Sequence, residues 1–551
     1  MTHSPLIGAI DQGTTSTRFV LFDVHGKIVT YHQVEFKQHY PHPGWVEHDP
    51  LDLLSTVNTC IEQALLKLRL TDYEPKDIQC IGITNQRETT LVWDSETGQP
   101  LYRAIVWSDN RTAHTVQALV ESHSEQEIHD LQRICGLPVT SYFSAVKLKW
   151  MLEHVPAVKD AYEEGRLHFG TVDTWLIYNL TGGAQDNGVM VTDVTNASRT
   201  MLMDLHTLTW SKEGLRFFGF EKLKLAKIAP SSHIYGFLSH GSLAGVPISG
   251  CLGDQQSALV GQKCFSPGDA KCTYGTGCFL LFNTGRGPPT FSHHGLLTTV
   301  AYQLHAQAPP VYALEGSVAV AGSSLQWLRD TLALFKESSD INALASQVTS
   351  TAGVYFVTAL SGLLAPYWRS DARGMLIGLT QYTRKEHIAR ATLEAVCYQT
   401  RAILEAMSHD ATSSPQGPQD DPSQRSASAA STSVSSLKVD GGLSNSDVCM
   451  QIQADILGHA MTVERPHMRE TTALGAAMAA GLAVGIWKSI DELKNVNQDG
   501  NTIFQSNISA KKRDKMYNGW KEAVKRSYGW ADIVDNISED EEEEETLKRH
   551  T

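Results

Sequence analysis

The carboxylate of Asp254, in Gly253-Asp254-Gln255-Gln256, is of the type that takes a proton from an attacking hydroxyl as a general base. It lies between two apolar stretches, residues 246–250 and 257–260, where a plain helix N-cap is an equally ordinary reading. Phosphate oxygens need several donors converging at close range. Asp11-Gln12-Gly13-Thr14-Thr15-Ser16-Thr17-Arg18 can supply them from backbone N–H groups at a glycine turn, from the hydroxyls of Thr14, Thr15 and Ser16, and from Arg18. Asp11 could hold the water shell of a Mg2+ ion bridging nucleotide phosphates; a plain hairpin with Asp as turn acceptor has the same composition. A second turn, Gly275-Thr276-Gly277, would close on those phosphates from the other half of the chain if the ligand lay in a cleft. In Asn85-Gln86-Arg87-Glu88-Thr89-Thr90 opposite charges stand side by side. They form either a surface pair worth little or a donor and acceptor set for the vicinal hydroxyls of a polyol, with Trp107, Tyr142 and Phe279 as a wall for its carbons.

These residues need elements to hold them. The apolar run at residues 6–10, the turn at Gly13, the run at residues 18–23 and the short run at 27–29 read as a strand meander. Residues 270–274 and 278–283 again flank a tight Gly/Thr turn, so one supersecondary unit recurs near mid-chain and predicts two similar halves. Ile388, Ala391, Leu393, Ala395, Val396, Ile403 and Leu404 make a helical stripe over 388–407, and a second helix is expected over 443–457. Strands alternating with such helices predict an α/β class. Between the two helices, residues 411–436 form a Ser/Pro/Gln tract too poor in large apolar residues to offset its ordering entropy, and a disordered insertion is expected there.

The 551 residues carry 46 Lys and Arg against 60 Asp and Glu, a net charge of −14. Such a balance gives no basic field for nucleic acid or anionic lipid. The acidic run 539–545 accounts for about half of that charge and belongs to a tail expected to stay solvated. Nine cysteines, an odd number without a Cys-x-x-Cys pair, suit a reducing compartment better than a disulfide framework or zinc site. The N-terminus does not read as a cleaved signal, and the longest weakly polar stretch, 474–487, is shorter than the ~20 residues of a membrane span. No Walker A, protein-kinase catalytic loop or dinucleotide fingerprint is present.

The segments above, with residues 107–112, 192–198, 366–368, 440–442 and 470–475, resemble the FGGY carbohydrate kinase family of the actin, Hsp70 and hexokinase superfamily, and within it the glycerol-phosphorylating branch. The resemblance runs from Gly8 to about Trp530. It implies two RNase-H-like domains, 1–262 and 263–531, followed by the tail 532–551, with the active site in the cleft between them. ATP and Mg2+ would be used and glycerol would be the substrate. Thr14, Thr15, Ser16, Arg18, Gly275, Thr276, Gly322, Gln326, Gly442 and Ser446 would contact the nucleotide. Arg87, Glu88, Tyr142, Asp254 and Gln255 would contact glycerol, with Trp107 and Phe279 on its carbons. Asp254 would be the general base, and Asp11 and Asp254 would hold Mg2+ through water.

Ser446 departs from the family pattern, which carries Asn there; this chain has Asn445 one place early. Cys272 replaces an Asn and Thr358 a Pro, and residues 239–245 lack the Gly-Gly-x-Arg with which bacterial relatives bind fructose 1,6-bisphosphate. The resemblance implies a cytoplasmic enzyme, without the apolar C-terminal tail that takes some members to the mitochondrial outer membrane; a homo-oligomer is left open. Two other readings stand beside it: another FGGY polyol or sugar kinase, and a kinase-fold interaction protein with weak catalysis.

Overall fold

A computed structural model describes residues 4–413 and 434–531. Most of the 411–436 tract and all of the 532–551 tail therefore lie outside the described residues. At its ends the tract is shorter than expected, because the helix Lys385–Ser413 continues through 413 and Val434 is buried ahead of the strand Ser436–Asp440.

The two halves are built on sheets of matching topology. In the first, Leu6–Gln12, Ser16–Phe22 and Ile28–Glu35 form an antiparallel meander, and Ile78–Asn85 and then Pro247–Gly253 add in parallel beside the first strand. Ser232–Phe237 closes the edge antiparallel. The second sheet repeats the plan, with Ala270–Tyr274 and Cys278–Arg286 as the hairpin, Val311–Val318 and Leu297–Tyr302 extending it, and Ser436–Asp440 and Thr462–Pro466 parallel on the other side. Asn501–Phe504 closes that edge antiparallel. Strands such as Leu6–Gln12 and Val311–Val318 are buried along their whole length, as expected of strands covered on both faces.

The register does the positioning. Gln12 pairs with Asn85 and Asn85 with Gly253, so three neighbouring parallel strands end at one level and release Gly13, Gln86 and Asp254 at the same edge. Ligands bind outside the carboxyl ends of such strands. In the second sheet Thr273 pairs with Asp440, which sets Gly275 beside the turn after Asp440.

The helix Thr471–Ala483, though late in the chain, lies on the first sheet and against the helix Asp254–Gly261. Glycines make this approach possible. A Cβ on Gly82 would stand 2.1 Å from the Ala476 carbonyl oxygen, and one on Gly475 would stand 1.9 Å from that of Ser257. Gly475→Val is therefore expected to destabilise the protein by ~3 kcal/mol or more, at the upper end of overpacking costs. Thermal unfolding checks this, and an unchanged Tm would mean that the two helices are not in backbone contact.

All nine cysteines are buried and none is paired in a disulfide. No helix among the described residues is long and apolar enough to cross a membrane.

Candidate active site

The residues expected on the phosphate side lie at strand ends. The N–H of Gly13 donates to the Ser16 carbonyl at 3.0 Å and closes the hairpin between the first two strands. Across that hairpin Asp11 faces Arg18, whose Nη1 is 3.8 Å from Asp11 Oδ2 and 2.8 Å from Glu470 Oε2. Burial pushes the Asp11 carboxyl up to about 7; Arg18 pulls it down, while Glu470 and Asp254 reinforce the rise. The indole of Trp107 donates to Thr14 Oγ1 at 2.9 Å, tying that ring to the first Gly/Thr turn.

Arg87 and Glu88 are not a surface pair, since they are only 3% and 1% exposed. Nor are they each other's hydrogen-bonding partner. Arg87 makes a bidentate pair with Glu315, at 2.6 and 2.9 Å, while Glu88 Oε1 accepts from Arg199 Nε at 2.5 Å. Side-chain burial is the physical reason: charges held away from water need partners in fixed geometry. Glu88 sits at a φ of 58° with the Thr89 N–H donating to the Arg87 carbonyl at 2.7 Å, a tight three-residue turn. Such backbone strain costs of order 1–3 kcal/mol. Here it is held by the hydroxyls of Thr90 and Ser144, which both donate to the Glu88 carbonyl.

Asp254 is not the N-cap. Gly253 holds that place and Asp254 opens the helix Asp254–Gly261, its Oδ1 accepting from the Gln255 N–H at 2.8 Å. Arg87 Nε lies 3.3 Å from the same oxygen. Burial raises the Asp254 pKa, and Arg87 and Lys271 oppose the rise. Gln255 in turn accepts from Lys271 Nζ at 2.5 Å. The rings of Trp107, Tyr142 and Phe279 meet edge to face, with Trp107 5.8 Å from Tyr142 and 5.7 Å from Phe279.

These groups surround one cavity of about 260 Å3, lined from the first half by Asp11, Gly13 to Ser16, Arg18, Arg87, Glu88 and Asp254 and from the second by Gly275 to Gly277 and Phe279. Gly275 and Thr276 also line a second cavity of about 560 Å3, which contains Gly322, Gln326, Asn342, Gly442, Asn445 and Ser446. Gly322 must be glycine, because a Cβ there would stand 2.5 Å from the Gly275 carbonyl oxygen. The structure thus brings every site residue expected from sequence to two adjoining cavities.

Ser446 is less free than its position suggests. Its hydroxyl caps the helix Asp447–Leu457 by accepting from the Cys449 N–H at 3.0 Å, and it also bonds to Asn342 Oδ1. Ser446→Ala should cost ~1 kcal/mol through loss of the cap. Denaturant unfolding measures this, and no change would show that water replaces the cap without loss.

Sequence reasoning missed Arg199, Glu315 and Lys271, and it assigned no role to Glu470. Glu315 and Lys271 carried a signal, each being the one charged residue of its strand, Val311–Val318 and Ala270–Tyr274, and a charge in such a strand must be paired.

Comparison with known proteins agrees with this architecture. The model of the FGGY family of carbohydrate kinases matches with its N-terminal domain at residues 6–261 and its C-terminal domain at 270–484. The chain belongs to the FGGY family of carbohydrate kinases. It is 49% identical to glycerol kinase 1 of Streptomyces coelicolor, covering 96% of this chain and 99% of that one, and 48% identical to the glycerol kinase of Arabidopsis thaliana over 96% and 98%. The crystal structure of Plasmodium falciparum glycerol kinase with ADP superposes with a TM-score of 0.83 at 37% identity, covering 95% and 98% of the two chains. A xylulose kinase of Lactobacillus acidophilus, at 21% identity and a TM-score of 0.75 over 97% and 98%, shares the fold.

Proposed function

We propose that this protein transfers the γ-phosphoryl group of ATP to a terminal hydroxyl of glycerol, giving sn-glycerol 3-phosphate and ADP. The observation that carries the reading is a single cavity in which Asp254, Arg87 and Glu88 face two Gly/Thr turns contributed by opposite halves. Relatives named glycerol kinase at about half identity over nearly the whole chain support the choice of acceptor.

Arg87 and Glu88 bind adjacent hydroxyls as donor and acceptor. Trp107, Tyr142 and Phe279 enclose the carbons, and Gln255 accompanies Asp254 at the reacting end. Asp254 accepts the proton of the attacking hydroxyl as the new O–P bond forms, and ADP leaves with the electron pair of the broken bond. Thr14, Thr15, Ser16 and Arg18 meet the phosphates from one side and Gly275 and Thr276 from the other. The nucleoside occupies the larger cavity, beside Gly322, Gln326, Gly442 and Ser446.

The lining fits a divalent cation held through water: Asp11 and Asp254 face the same cavity, and the Asp254 charge adds to the rise that burial imposes on the Asp11 carboxyl. When bound, Mg2+ neutralises phosphate charge, and Asp11 and Asp254 would hold its water shell. In this reading residues 1–262 form the glycerol and first phosphate unit, and 263–531 the nucleotide unit.

Glycerol-dependent ADP release by the purified full chain with Mg-ATP tests the proposal. Turnover with glycerol well above that with pentuloses and other triols is expected. Preference for a pentulose would make the protein a different kinase of the family, and no acceptor-dependent release at all would leave an interaction protein.

A further inference from the structure

Arg87 has five N–H donors in a rigid fork. Glu315 takes its end-on face, Nη1 at 2.6 Å and Nη2 at 2.9 Å, and Gln256 Oε1 takes the second Nη1 hydrogen at 3.2 Å. Two donors remain, Nε–H and one Nη2–H, and in a planar guanidinium these are parallel and share one edge. Nε lies 3.3 Å from Asp254 Oδ1, so this is the edge turned to the reacting end of the cavity.

Glu315 is itself held from behind. Arg199 donates through Nη2 to Glu315 Oε1 at 3.1 Å and through Nε to Glu88 Oε1 at 2.5 Å. The result is a run of alternating charge, Glu88, Arg199, Glu315, Arg87 and Asp254, buried except at Asp254, where it reaches the cavity. Arg199 and Glu315 are both 0% exposed. Four of the five stand in the first half of the chain, whereas Glu315 stands on the second sheet, where it pairs with Leu281 and Leu297.

We infer that Glu315, backed by Arg199, is a positioning residue for acceptor recognition, which leaves only the Nε/Nη2 edge of Arg87 for the polyol and makes that edge depend on the docking of the second half against the first. The inference rests on the glycerol kinase reading. Glu315 lines neither cavity. Its carboxylate has the geometry for the task, since a bidentate pair fixes both the tilt and the rotation of the guanidinium. The strong negative character of Glu315 agrees: although burial pushes its carboxyl up, Arg199 and Arg87 hold it at about 2.

The test uses the full-length protein and Glu315→Gln, with Glu315→Asp as the conservative variant. The readouts are KM for glycerol and for ATP, glycerol binding by calorimetry without nucleotide, and Tm. Glu315→Gln, which keeps the shape but weakens the clamp, is expected to raise the glycerol KM and Kd at least tenfold while the ATP KM stays within twofold. Glu315→Asp should recover part of the loss. A folded Glu315→Gln whose glycerol KM rises less than tenfold, or equally with that for ATP, overturns the positioning role. Should Glu315→Gln not fold, Glu315→Asp is held to the same split between substrates, and failure of both to fold assigns Glu315 a purely structural role. A wild type that neither binds nor phosphorylates glycerol refutes the functional reading itself, whereas an active wild type with an unaffected variant refutes the positioning role alone.

Discussion

Asp254→Asn is expected to lower kcat for glycerol phosphorylation by about 10²–10⁴-fold, the usual contribution of a positioned general base. Asn keeps the size of the side chain and can still accept from the Gln255 N–H, so the helix start should survive. The phosphate turns lie on other strands, so nucleotide affinity should be nearly unchanged. Retention of more than about a tenth of the wild-type kcat, a loss under ~1.4 kcal/mol, would remove Asp254 from the role of base. The pH profile gives a second readout. Only the ionised carboxylate accepts a proton, and burial raises the Asp254 pKa. Activity should therefore be lost as pH falls through that raised value, at higher pH than for an ordinary aspartate. The low-rate variant should lack this acid limb.

Arg87→Ala carries the second large effect, on substrate binding. It removes the two-donor edge and leaves the polyol oxygens that it serves unpaired in a closed pocket, at about 1–3 kcal/mol for each. The glycerol KM is expected to rise by about 10²-fold or more with the ATP KM within a few-fold. Equal effects on the two would assign Arg87 to folding or to docking of the halves. The substitution also strips Glu315 of its bidentate partner. In the wild type the folded carboxyl of Glu315 lies at about 2, below its ordinary 4.5. The sign follows from linkage: a depressed carboxylate adds stability that is present above pH 4.5 and lost as pH falls towards 2, roughly 3 kcal/mol in all. Arg87→Ala should shrink that acid-dependent loss, and unfolding curves between pH 5 and 2 would show it. An identical pH dependence in both proteins would mean that Arg199 alone holds Glu315.

Much of this protein is legible from local sequence. The Gly/Thr hairpins at Gly13 and Gly275 announce themselves because turn chemistry and strand alternation are properties of neighbouring residues. The helix expected over 388–407 forms as Lys385–Ser413, since its apolar stripe repeats at the helical period. The one expected over 443–457 begins at Asp447, because Gly442–Asn445 winds as a tighter turn and Ser446 caps the α-helix behind it. Local rules place such a boundary only to within a turn.

The tertiary structure decided the ionic partners. Arg87 and Glu88 are adjacent in the chain and look paired, yet their partners are Glu315 and Arg199, 228 and 111 residues away. Strand register and the packing of the two halves through helices such as Asp254–Gly261 select those pairings, and no spacing along the chain encodes them. The same holds for Asp254, whose place by sequence fits an N-cap. Only the alignment of Gln12, Asn85 and Gly253 at one sheet edge shows that it meets Arg87 in the wall of a cavity. Side-chain type and local periodicity thus determined which chemistry was available, while burial and register, which depend on residues far apart in the chain, determined which groups meet.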